Sequence, residues 1–190
     1  MLSSITPLGQ RGRGMSWSRT VVAFWIGAIS AGVLVFSLAG FVGPMVDLDV
    51  LNPWLAASVV AGAGVLDLLR VKPPGPKRQV DEDWLGRYRD WVVGLGYGAQ
   101  LGLGLVTTIP TWGTWALLLV SASVGLPGAA IIGASFGVGR SVLLLANISV
   151  TSPGALSATM RRFAGAESAA KHAAIGAYAL AIVMVGLNVV

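Results

Sequence analysis

The residues best placed to do chemistry interrupt an apolar stretch: Thr107-Thr108-Ile109-Pro110-Thr111, with Gln100 about two helical turns upstream and Arg140 further along. A proline removes a backbone donor and biases the preceding residue away from helix. A helix restarting near Thr111 would therefore turn unpaired N–H groups and a positive dipole end inward, an arrangement that suits an anion. Thr107, Thr108, Thr111 and Thr114 add hydroxyls, and Arg140 is the only basic residue inside an apolar run. The same residues also read more plainly. Pro110 can be a kink whose freed carbonyls are met by the threonines, and Arg140 can snorkel or bond carbonyls.

Other chemistries lack the residues to carry them. There is no cysteine, which excludes disulfides, thiolate metal sites and thiol redox steps within the chain. No His, Asp and Glu cluster has metal-ligand spacing, and no glycine-rich loop leads into a lysine for phosphate. A nucleophile, base and orienting group do not occur as a set. Neither catalysis, a metal nor another cofactor is expected. His172 stands alone beside Lys171, and Asp67 with Arg70 reads as a local ion pair at a membrane border.

The elements that must position these residues are apolar helices. Hydrophobic residues make up 55% of the chain and charged ones 11%, against about 25% charged in soluble domains. With a mean hydropathy of +0.76 and charges confined to gaps, the composition is that of a bilayer-embedded, all-α bundle. The net charge of +5 and pI near 10.2 do not indicate nucleic acid, because the basic residues separate apolar runs instead of lining a solvated face. Apolar runs cover 20–46 and 53–69. A polar segment at 71–90 follows, with Asp81 placed to cap an interfacial helix carrying Trp84, Leu85, Tyr88 and Trp91. Residues 91–124 hold 34 positions without a charge, which as one helix would measure roughly 51 Å against a ~30 Å core. Pro110 is where that run is expected to break. A run at 127–150, a polar loop containing Pro153, Arg161 and Arg162, and a last run at 173–190 complete the chain.

Three basic residues precede the first run, six lie between Arg70 and Arg89, and three between Arg161 and Lys171. If the broken segment crosses once, all three groups face the same side, which the positive-inside rule makes cytoplasmic. This predicts five crossings of the cytoplasmic membrane, one through a broken helix, with a cytoplasmic N-terminus. Glycine and alanine at close-packing spacing, Gly27 with Ala31, Gly98 with Gly102 and Gly133 with Gly137, are expected at helix contacts.

The chain also repeats itself weakly. Ser4-Ile5-Thr6-Pro7 followed by Trp25-Ile26-Gly27-Ala28 parallels Thr108-Ile109-Pro110-Thr111 followed by Ile131-Ile132-Gly133-Ala134, in opposite expected orientations. This divides the chain into 1–70, a first repeat; 71–90, a cytoplasmic loop; and 91–190, a second repeat. The polar Pro break, the Gly-rich second helix and the inverted plan resemble the CcdA/DsbD transmembrane family and its LysE-type relatives. The resemblance implies a transport-type scaffold, but Leu8 and Thr111 stand where electron-carrying members have cysteine after the proline. Only six residues precede Pro7, against nineteen from Trp91 to Pro110, so the first half-helix of repeat one is expected to be missing. The function expected from these features is movement of a small, anionic solute across the membrane; the alternative is a non-catalytic subunit within a larger membrane complex. Lipid, and either a second copy or a partner subunit, are the expected neighbours.

Overall fold

A computed structural model describes residues 5–46, 53–76, 84–107, 109, 111–166 and the helical positions 173, 176, 178 and 179. Among the described residues the fold is all-helical with no strand. The helices are α1 (Pro7–Gly12), α2 (Trp17–Val42, continued by a 3-10 turn Gly43–Val46), α3 (Pro53–Leu68), α4 (Trp84–Arg87), α5 (Asp90–Leu103), α6 (Gly113–Ser123), α7 (Gly125–Leu145) and α8 (Pro153–Gly165).

The central element is α2. One of its faces packs on α5 through glycines that let the backbones meet, because a methyl group on Gly94, Gly98 or Gly102 would collide with the carbonyls of Thr20, Phe24 and Ala28 respectively. Both series rise together in number, so α2 and α5 run in the same direction. Gly27 returns the contact against Leu95 and Ala99. Another face of α2 meets α7 in the opposite direction: Gly137 lies on Ala28, Gly133 on Gly32, and Gly40 on Ala129 and Gly125. Ala31 is buried on α2. At the far end, Gly43 sits on the Ala122 carbonyl, which places the end of α6 beside the end of α2. Lipid tails are as apolar as leucine, so in a bilayer such close backbone approach supplies van der Waals packing that burial alone does not.

A cluster of Ile5, Val21, Phe24, Ala28, Leu85, Val93, Tyr97 and Leu144 closes the end where α2 begins. The remaining face of α2 is an exposed stripe at helical spacing: Val22, Ile26, Leu34, Leu38 and Phe41 are each more than half exposed. Trp17–Val46, 30 residues, is long and apolar enough to cross a bilayer, whereas Trp54–Leu68 and Gly113–Ser123 are apolar but shorter.

Two local expectations change. The stretch expected as a polar loop after Val150 is helix α8, because Ser152 caps it by accepting the Ala155 N–H at 3.2 Å and Pro153 occupies the first turn. The interfacial helix ends at Arg87 and α5 restarts at Asp90, so Tyr88 falls between two helices; the Asp81 cap lies outside the described residues. Pro7 opens helix α1, with Thr6 accepting the Gly9 N–H at 3.1 Å; the residues before Ile5 lie outside the described residues.

Candidate functional site

The break expected at Pro110 begins earlier and is wider. Helix α5 stops at Leu103 because Gly104 adopts a left-handed conformation (φ +67°) and closes the helix with an N–H to Leu101 carbonyl bond of 3.1 Å. Helix resumes only at Gly113. Since Gly102 packs at Ala28 and Ala122 at Gly43, the described residues between 104 and 112 lie level with the middle of α2. Of the residues singled out in sequence, Thr108 and Pro110 fall outside the described residues. Thr107 and Ile109 are buried, Thr114 is buried with its methyl group near the Gly104 position, and Gln100 is half-buried on α5.

The polar centre of this region is one that sequence reasoning assigned elsewhere. Asp67, on the last turn of α3, accepts the backbone N–H of Trp112 at 2.9 Å and the hydroxyl of Tyr178 at 2.6 Å. The Tyr178 oxygen also meets the Thr111 hydroxyl and the Gly113 N–H. A carboxylate at the C-terminal end of its own helix opposes that helix dipole, while the start of α6 presents the opposite, favourable dipole end and an unpaired N–H. The chain thus places its own anion at the half-helix N-terminus. Asp67 directs its carboxylate to α6 and the final helical run, and Arg70 takes a left-handed conformation (φ 57°) that terminates α3. Bonds from the Arg70 N–H to the Asp67 carbonyl and from the Val71 N–H to the Leu66 carbonyl complete that termination.

Two tryptophans fasten the segment that follows. The Trp112 indole N–H donates to the Val71 carbonyl at 2.9 Å and the Trp115 indole N–H to the Pro74 carbonyl at 3.0 Å. Gly75 lies against Ile109, whose terminal methyl would have to shift to admit a side chain there. The non-helical run 71–76 is held alongside the helix break by groups that would otherwise be unpaired there.

Arg140 points to a different element. Its guanidinium lies 5.0 Å from the centre of the Phe136 ring and donates to the Leu101 carbonyl at 3.4 Å. Phe136 in turn packs on Phe36 at 5.0 Å. Arg140 is a cation at the C-terminal end of α5, where the dipole is negative, and shares the Leu101 carbonyl with the Gly104 N–H. Thr111 and Arg140 therefore serve opposite ends of the break: one near the N-terminus of α6, the other at the C-terminus of α5. A signal for Asp67 was present in the sequence, a lone carboxylate within the apolar run 53–69, but its partners are 45 and 111 residues away. Gly94, four residues before Gly98, was legible from spacing alone.

The arrangement can hold together three chain segments around one carboxylate. Among the described residues, no group of His, Asp and Glu is assembled to hold a metal ion.

No family model and no solved structure matches the chain. Curated relatives do. The chain is 30% identical over 158 residues to the methylamine utilization protein MauF of Paracoccus versutus, covering 77% of this chain and 57% of that one. It is 33% identical over 151 residues to the MauF of Paracoccus denitrificans, covering 73% and 53%. The MauF of Methylorubrum extorquens is 29% identical over 130 residues, covering 66% and 45%. These findings overturn the resemblance to the CcdA/DsbD and LysE-type families. They also overturn solute transport, drawn from low-specificity proline and glycine patterns that any tightly packed apolar bundle produces, and the scaffold alternative, drawn from the expected missing half-helix. The chain is similar, over about three quarters of its length, to proteins named for methylamine utilization, and it spans about half the length of those relatives.

Proposed function

We propose that this chain is a membrane-embedded accessory protein of methylamine utilization. The observation that carries this reading is the similarity to three MauF proteins at 29–33% identity. In this reading the chain is not itself catalytic, since its sequence has neither a nucleophile set nor metal-ligand spacing, and its contribution is made through the folded bundle.

The bundle crosses the cytoplasmic membrane five times, with the N-terminus cytoplasmic and 91–124 crossing once. Three observations support this. α5 and α6 follow each other along α2 in one direction, meeting it at Ala28 and at Gly43. From Val22 to Val42 the exposed stripe of α2 is apolar except for Ser30, a surface that water disfavours and lipid does not. The antiparallel pairing of α2 with α7 fits an inverted repeat. In-chain pairing of Asp67 makes a mid-bundle carboxylate tolerable, since an ionisable group at that depth requires a partner.

The test is genetic. Deleting the coding sequence from its host is expected to abolish growth with methylamine as the sole nitrogen source while leaving growth on ammonium unchanged, and the wild-type gene supplied in trans restores it. Unimpaired growth of the deletion strain on methylamine would refute the reading.

A further inference from the structure

Two apolar grooves flank the exposed ridge of α2 and share its residues Val22 and Ile26. One, of about 560 Å³, is completed by Val21, Trp25, Ile29 and Leu145. The other, of about 470 Å³, is completed by Ala23, Leu95 and Trp91, and it opens at one end onto Ser18 and Arg19. Along α2 the first groove runs from Val21 to Ser30 and the second from Ser18 to Ile26, roughly 14 Å and 12 Å at 1.5 Å per residue. Each falls a little short of the depth of one leaflet, half of a ~30 Å hydrocarbon core. Two apolar grooves of nearly leaflet length, side by side and with a cation at the end of one, match the shape of a lipid with two acyl chains.

Charge selects among such lipids. Arg19 is exposed at the groove end, and Arg11, Arg87 and Arg89 are exposed on the segments that gather at the same end of the bundle. Among the described residues the nearby acidic group is Asp90, whose carboxylate oxygens accept the Ser16 N–H at 3.3 Å and the Trp91 N–H at 2.9 Å. Its charge is thereby drawn toward backbone donors. Trp91, 52% exposed, stands at the headgroup level where tryptophan is favoured. We propose that this face binds a diacyl phospholipid with an anionic headgroup, the phosphate held by Arg19 and Ser18 and one acyl chain lying on each side of the Val22–Ile26 ridge. The proposal rests on the bilayer part of the functional reading and on nothing about methylamine.

The full chain, purified in a neutral detergent, is titrated with dioleoyl-phosphatidylglycerol or dioleoyl-phosphatidylcholine and the bound lipid counted by native mass spectrometry. Phosphatidylglycerol is expected to be retained at lower concentration. Arg19→Gln should reduce that preference about fivefold, the loss of one basic contact at a membrane surface, with unfolding temperature unchanged because the side chain is exposed. Ile26→Trp, which fills the ridge between the grooves, should reduce retention of both lipids. Equal retention of the two lipids by the parent chain, an Arg19→Gln preference equal to the parent's, or a self-associated chain that excludes lipid from this face would each overturn the proposal. A chain that stays soluble without detergent would instead refute the membrane reading itself.

Discussion

The Tyr178 hydroxyl donates to the Asp67 carboxylate at 2.6 Å across 111 residues of sequence, while the other carboxylate oxygen takes the Trp112 N–H. One side chain therefore joins the end of α3, the start of α6 and the last helical run. Gly64, one turn before Asp67, packs on the Tyr178 ring at a distance that leaves little room for a side chain.

This coupling is measurable. Tyr178→Phe is expected to lower stability by about 1 kcal/mol and Asp67→Ala by about 2 kcal/mol, because the first removes one hydrogen bond to the carboxylate and the second removes both. The double variant should fall short of the sum by on the order of 1 kcal/mol. Chemical unfolding of the four proteins in detergent measures this, and strict additivity would show that the two groups do not act as a pair.

Glycine substitutions should separate by position. Gly98→Ala places a methyl group into the Phe24 carbonyl, so α2 and α5 must part, and a cost of about 1–3 kcal/mol is expected from overpacking. Gly139 has open space around its missing side chain. Gly139→Ala is expected to be neutral or to stabilise by about 0.5–1 kcal/mol through helix propensity. Thermal unfolding of the two variants side by side decides the matter.

Arg140→Gln removes the cation from the Phe136 ring and from the end of α5. The expected loss is about 1 kcal/mol, the scale of a cation–π contact and a helix-end charge combined. Arg140→Lys keeps the charge without the planar fork and should lie between the two. A stability for Arg140→Gln equal to the parent's would assign the residue no role at the break.

Orientation is accessible because the chain has no native cysteine. Cysteines placed singly at Gly86 and Ser157 should react with an impermeant maleimide only from the cytoplasmic side, and one at Met45 only from the outside. Gly86, Ser157 and Met45 are all exposed. Labelling of Ser157 from outside would make 91–124 cross twice.

Much of the architecture was legible in the residues because its causes are local. A long run without charge and with proline inside it must break, glycines four apart mark a face where backbones can meet, and an apolar majority with charges confined to gaps dictates helices. The position of the break was misplaced for an equally local reason: Gly104 ends α5 by adopting positive φ, and a glycine within a glycine-rich run gives no sign of which one does so. Helix α8 was missed although Ser152-Pro153 is a start signal, because the basic residues beyond it read as a loop.

What only the tertiary structure decided is which groups meet. Asp67 appeared paired with Arg70 three residues on, yet its carboxylate turns to Trp112 and Tyr178. Arg140 appeared available to the start of α6, yet it serves the end of α5. A sequence records the type and spacing of polar groups along one helix. The choice of partner is made where separate helices cross, by the requirement that each carboxylate, guanidinium and helix end at mid-bundle find an opposite charge or dipole within hydrogen-bond reach.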